Sequence, residues 1–122
     1  MIARAVPLLH VTDSRRAERY YHERLGFRVL FVTRGDAADP CYLGVARDGA
    51  ELHLSSHAGD AAPGGVAVLV VDDVDALYGE FAAKGATLRL PPTDQTWGNR
   101  DLYVEDPDGN VLRFVQPGAA AR

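Results

Sequence analysis

The chain has 122 residues, 47% of them hydrophobic and 25% charged, which suits one folded domain with a real core and excludes disordered or fibrous classes. Its 13 Lys and Arg against 17 Asp and Glu give a net charge of −4 with no basic stripe, so nucleic acid is not an expected partner. No apolar run is long enough to cross a membrane, the segment MIARAVPLLHVTD has no signal-peptide cleavage site, and the single cysteine, Cys41, can form no internal disulfide; a cytoplasmic protein without membrane contact is expected, with Cys41 as a buried filler.

In chain order, VPLLHV over 6–11 reads as a short buried strand. Asp13 is placed to cap a following helix on which Ala17, Tyr21 and Leu25 share one face, and Gly26 suits a left-handed cap beyond its end. FRVLFVTR, PCYLGVAR and AELHLSS then read as strands, the last two joined at Asp48-Gly49, where the turn needs a positive φ. Residues 57–64 are small and turn-forming and serve as a linker. VAVLVV over 66–71 opens a second series. Asp72, Asp73 and Asp75 place negative charge at the start of a helix whose Val74, Leu77 and Phe81 face inward and which Gly85 closes. ATLRL, RDLYVE and NVLRFVQ supply three more strands, the last two joined by DPDG. Residues 91–100, PPTDQTWGNR, form a loop that could reach over a binding face, and the tail GAAAR is expected to fray.

The two series are one pattern repeated. Val11 and Val71, Asp13 and Asp73, Ala17 and Leu77, Tyr21 and Phe81, Asp48 and Asp108, and Gly49 and Gly109 all lie 60 residues apart. The fold class is therefore α+β: a single domain over 1–122 made of two tandem β-α-β-β-β modules, 4–56 and 65–117. Each module has a helix on one face of its sheet and an open face opposite, so the modules must pair. Strand alternation sends Leu112 and Phe114 to the helix side and Val111, Arg113 and Val115 to the open side. The offset carries Arg113 onto His53 and pairs Val6 with Val66, which gives four candidate open-side positions: Val6, His53, Val66 and Arg113.

The doubled pattern, the Tyr20-Tyr21 helix ending in RLGF, the segment VDDVDAL and the ending DLYVEDPDGNVLRF resemble the vicinal oxygen chelate superfamily of glyoxalases, extradiol dioxygenases, fosfomycin-resistance enzymes and bleomycin-resistance proteins. The resemblance covers about residues 4–117, and WG followed by DPDGNVLRF is most similar to the bleomycin-resistance branch. It implies incomplete barrels of the glyoxalase/bleomycin resistance type. In the superfamily's enzymes the four inner positions ligate a divalent metal with His, Glu or Gln. Here Val6 and Val66 offer no lone pair and Arg113 is a permanent cation, leaving only His53, too few donors for a catalytic metal. The expectation is accordingly no metal, no cofactor and no catalytic residue. A homodimer that sequesters an antibiotic or aromatic metabolite, planar or cationic, in a cleft at its interface is expected instead.

Trp97 offers a stacking surface, with packing beneath the loop as its alternative. Tyr103 is a candidate because, in the related fosfomycin-resistance enzymes, a tyrosine ten residues before the last ligand position faces the substrate. Arg113 either contacts ligand or pairs with Glu51, Asp101 or Glu105; His53 either contacts ligand or pairs with a carboxylate. Asp101 and Glu51 complete the polar candidates, and Phe31 and Tyr42 are aromatic walls or core. His10 falls at the rim, and His22 and His57 on the surface. Two alternatives stand beside binding: a metal-dependent lyase, isomerase or dioxygenase using, for example, His10, His53 and Glu51, and a non-catalytic regulatory or partner-binding module.

Overall fold

The computed structural model describes residues 1–118; part of the tail expected to fray, 119–122, lies outside them. The first β-α-β-β-β series comprises β1 (Leu8–His10), α1 (Ser14–Arg19), β2 (Arg28–Thr33), β3 (Tyr42–Arg47) and β4 (Ala50–Ser55). The second comprises β5 (Val66–Val70), α2 (Val74–Ala83), β6 (Thr87–Asp94), β7 (Arg100–Glu105) and β8 (Val111–Gln116). The strands form two four-stranded sheets, β1-β4-β3-β2 and β5-β8-β7-β6, and in each the first strand runs parallel to the last while the others are antiparallel. Neither sheet closes into a barrel.

Both helices begin as their caps require. Asp13 accepts a hydrogen bond from the Arg16 amide at 3.0 Å, and Asp73 from the Ala76 amide at 3.0 Å. The first helix changes form after Arg19: Tyr20–Arg24 is a π-helical turn, with the Leu25 amide bonded to the Tyr20 carbonyl at 3.3 Å. Ala17, Tyr21 and Leu25 are nevertheless all fully buried. Gly26 (φ 74°) and Gly85 (φ 76°) take the left-handed conformation that ends each helical segment, and Asp48 (φ 50°) carries the positive φ of its turn.

Two strands differ from expectation. β1 spans only Leu8–His10, so Val6 precedes it; Pro7 has no amide to donate and contributes only its carbonyl, which accepts from the His53 amide at 2.9 Å. β6 runs on through Pro91 and Pro92 to Asp94, replacing the ten-residue loop with a five-residue turn over 95–99. Two prolines are tolerated there because β6 is an edge strand with register shifts between Leu88 and Leu90 and between Leu90 and Thr93.

The helix-facing sides of both sheets share one core. Leu43, Val45, Leu52 and Leu54 from the first sheet and Leu102, Val104, Leu112 and Phe114 from the second pack in one cluster with Tyr21, Leu25, Phe27 and Phe81. Polar latches join the halves. The Tyr21 hydroxyl donates to Asp106 Oδ2 at 2.9 Å, the Tyr20 hydroxyl to the Glu105 carbonyl at 2.8 Å, and Arg47 grips Glu80 through two nitrogens at 2.6 and 2.8 Å. Asp106 also accepts from the backbone amides of Asp108 and Asn110, which gives the DPDG turn a structural role. Burial raises the Asp106 carboxyl above its ordinary range even though these donors favour its charged form. With both inner sides committed to this core, the open face of each sheet looks away from it.

Candidate functional site

On the open face of the first sheet, the register sets Gly44 beside His53 and Phe31 beside Gly44. Gly44 is required there: a Cβ would overlap the Phe31 ring, so the missing side chain is what lets that ring lie across β3. Phe31 stacks on Tyr42 (centroids 6.2 Å, planes 11° apart) and meets His53 edge-on at 5.3 Å. His53 Nδ1 lies 2.7 Å from the Tyr42 hydroxyl and Nε2 lies 2.7 Å from Glu51, which Arg4 holds at 3.1 Å. A neutral imidazole satisfies both partners when Nε2–H donates to Glu51 and Nδ1 accepts the Tyr42 proton. Tyr42 then keeps free oxygen lone pairs that can accept from a ligand. Phe31, Tyr42, His53 and Glu51 are thus brought together. Core packing is not the role of the two aromatic rings, and the carboxylate pairing considered for His53 is present.

On the open face of the second sheet, Arg113 and Tyr103 are register partners, and the guanidinium carbon lies 4.8 Å above the phenol ring. The Tyr103 hydroxyl donates to Asp101 Oδ2 at 3.1 Å. Burial, and then this bond to Asp101, hold the phenol above its ordinary pKa, with Arg113 opposing them. The ion pair that stood as one alternative for Arg113 is absent among the described residues: Glu51 pairs with Arg4, Glu105 lies 3.6 Å from Arg89, and Asp101 binds Tyr103. Arg113 is solvent-exposed, and its charge is offset only by the ring beneath it. Trp97 stands at the tip of the β6–β7 turn with 63% of its surface exposed, so packing beneath a loop does not describe it.

The register gives the neighbours of His53 and Arg113 on the first strand of each sheet. Leu8 is the partner of His53 and Val68 the partner of Arg113, whereas Val66 pairs with Val111. Leu8 and Val68 obey the same offset of 60 as Val6 and Val66 and share their strand parity. Val66 and Val68 are 51% and 60% exposed on β5, an edge strand. No hydrogen bond or ion pair joins the His53 group to the Arg113 group among the described residues. A cleft of about 560 Å³ lies at the seam between the N-terminal segment (Ala5, Pro7) and β5 (Val68, Val70), and of the ten candidates only Glu51 lines it.

The donor set does not fit the divalent metal of the superfamily's enzymes. Both His53 nitrogens are engaged, Arg113 repels cations, and no three His, Cys, Asp or Glu side chains among the described residues are grouped to hold an ion. His10, His53 and Glu51 in particular are not grouped to hold one.

A model of the glyoxalase superfamily matches residues 1–119. The chain belongs to the glyoxalase superfamily. TnmS3, an antibiotic binding protein from Streptomyces sp. CB03234, is 31% identical, with 97% of this chain and 99% of that one covered and a TM-score of 0.76. The bleomycin-binding protein of Streptomyces verticillus, solved with copper(II)-bleomycin, is 29% identical over 97% of this chain and 98% of its own, with a TM-score of 0.73. The bleomycin resistance determinant of transposon Tn5 is 26% identical over 95% and 98%, with a TM-score of 0.76. No curated protein matches the chain in sequence. The fold and the family are those expected from the repeat and its motifs, with glyoxalase-superfamily members that bind small molecules among the solved neighbours.

Proposed function

We propose that this glyoxalase-superfamily chain is a cytoplasmic, metal-free binding protein that sequesters a planar antibiotic or aromatic metabolite in a cleft completed by a second copy of itself. The observation that carries this reading is the chemistry of the two open faces. They present stacked aromatic rings and a free guanidinium where a metalloenzyme would present converging lone pairs. Trp97 and the Phe31–Tyr42 pair supply flat surface for a planar ligand, and Arg113, Asp101, Glu51 and the Tyr42 oxygen orient its polar groups. Each face is half of a cup. Because both face away from the core of their own chain, the other half comes from a partner, and the exposed Val66, Val68 and Val70 on edge strand β5 form an apolar seam for such a dimer. The antibiotic- and bleomycin-binding neighbours support the ligand class.

Two measurements on protein purified without chelator test the proposal. Elemental analysis is expected to find metal well below one equivalent, and sedimentation to find a dimer. A stoichiometric, tightly held transition metal overturns the metal-free reading, and a monomer at micromolar concentration overturns the shared cleft.

A further inference from the structure

The cleft of about 560 Å³ beside β5 has the buried Phe27, Leu52 and Phe114 among its lining, together with the half-buried Leu69, Val71 and Leu77. By strand alternation these are core-side residues, so the apolar lining lies across the sheets from the two open faces. Val68 and Val70 meet the cleft only at its edge, where it borders the seam proposed for the dimer. Its volume falls within the range of about 300–1,000 Å³ usual for small-molecule sites. A groove that shares Arg47, Asp48, Val70, Val71 and Leu77 with it continues it to Asp72. The charge along the two is one-sided. Arg47 is the only basic residue lining either among the described residues, and its guanidinium is committed to Glu80 and to the Leu25 carbonyl. Glu51 is held by Arg4 and His53, and Asp73 caps α2. Two carboxylates remain: Asp48, which Arg47 Nε approaches only to 3.9 Å, and Asp72, exposed and without a hydrogen bond or ion pair among the described residues. They come from different modules, Asp48 from the β3–β4 turn and Asp72 from the link between β5 and α2, and the fold brings both to one groove.

We propose that this cleft is a second binding site, separate from the open faces, for a small organic monocation with an apolar body: an aryl- or alkylammonium ion whose hydrocarbon part lies on Phe27, Leu52, Leu77 and Phe114 and whose ammonium group stays at the rim with Asp48 and Asp72. The hydrocarbon part sheds its water against the apolar lining, and the ammonium group keeps part of its own water at the exposed rim. The sign of the rim then decides among amphiphiles of one shape: it attracts a cation, is indifferent to a neutral end and repels an anion, in the same sense as the chain's net charge of −4. The inference is independent of the function proposed above, since it needs neither a partner subunit nor Arg113.

The test uses the full-length protein and four probes that differ in end group or body: 4-phenylbutylamine, 4-phenylbutan-1-ol, 4-phenylbutyrate and n-butylamine. Affinity and location are read together from NMR shifts of assigned side-chain signals at neutral pH. The phenyl amine is expected to bind about fivefold tighter than the alcohol, the factor that two exposed carboxylates supply at the usual strength of surface ion pairs, with the phenyl carboxylate weakest and butylamine undetected. The amine's shifts should centre on Leu69, Val71 and Leu77 and spare the Trp97 indole and the Tyr103 ring, and high salt should shrink its margin over the alcohol. Asp48→Asn combined with Asp72→Asn should remove that margin and leave the alcohol's affinity unchanged. Both positions are exposed and asparagine accepts the positive φ of position 48, so the variant keeps its fold. Arg113→Ala should leave the amine unaffected. Equal binding of amine and alcohol, a margin that survives the double substitution, or shifts centred on Trp97 and Tyr103 overturns the second site without touching the open-face proposal. Amine affinity that falls as protein concentration rises makes a second copy the occupant of the cleft and overturns it too, as does the absence of binding by every probe.

Discussion

Tyr21→Phe tests the way the two modules are joined, and with it the outward direction of both open faces. Tyr21 is fully buried and donates its hydroxyl to Asp106 Oδ2 at 2.9 Å; Asp106, 5% exposed, keeps the Asn110 amide group at 2.8 Å on the same oxygen. Phenylalanine preserves the ring contacts, so the loss is one hydrogen bond to a buried carboxylate, worth about 1.5–3 kcal/mol. Urea denaturation at pH 7 should show the midpoint falling at constant m-value, and a thermal scan a drop of roughly 3–5 °C per kcal/mol for a chain of this size. The effect also has a pH signature. Burial raises the folded-state carboxyl of Asp106, so its contribution is fully present below the unfolded value of about 3.9 and is lost as pH rises through the folded pKa. The Tyr21 bond holds that folded pKa down, and removing it raises the pKa further. Destabilisation by Tyr21→Phe must therefore be larger at pH 7 than near pH 3. A variant within about 0.5 kcal/mol of wild type at pH 7, below the hydrogen-bond range, or a penalty that grows on acidification, would refute this account of the latch.

Arg47→Met removes the half-buried grip on Glu80 and the bond from Arg47 to the Leu25 carbonyl at 2.8 Å, and should cost about 1 kcal/mol in urea at pH 7. The Arg47 hydrogen bond lowers the Glu80 carboxyl, so its contribution is present above the unfolded value of about 4.3 and fades as pH falls through the folded value; the penalty should shrink below pH 4. Gly44→Ala pushes the Phe31 ring off β3 at an overpacking cost of about 1–3 kcal/mol, and the loss of ring-current shift on His53 by NMR reports the displacement. Trp97→Ala should change stability by no more than about 0.5 kcal/mol, because the side chain is 63% exposed, while weakening planar ligands by about 2 kcal/mol in calorimetric titration.

Much of the architecture was legible because the repeat fixes both topology and parity. Asp13, Asp73, Gly26 and Gly85 marked the helix ends, and the alternation through Leu112, Arg113 and Phe114 told core from open face. What escaped reading depends on pairing partners. The prolines at 91 and 92 looked like loop because edge position and register shifts are properties of the sheet rather than of the local sequence. Which residue of the first strand sits beside His53 escaped reading for a similar reason: Val6 and Leu8 share parity, and only the pairing of β1 with β4 decides it. Of the site, the group around His53 was visible as separate residues, but Gly44, which makes room for Phe31, was not singled out, since its value lies in the ring packed over it. The free state of Arg113 also required structure, because Arg4 and Arg89, both distant in sequence, take the carboxylates that could have paired with it.

Fluorescence titration of the sole tryptophan with a panel of planar compounds, bleomycin among them, tests the central claim most directly when run in chelator-containing buffer and again with added zinc or manganese. The account predicts saturable quenching by at least one compound in chelator, with the same midpoint when metal is supplied and a weaker one in Arg113→Ala. Quenching that appears only with added metal, or none from any compound, would contradict it.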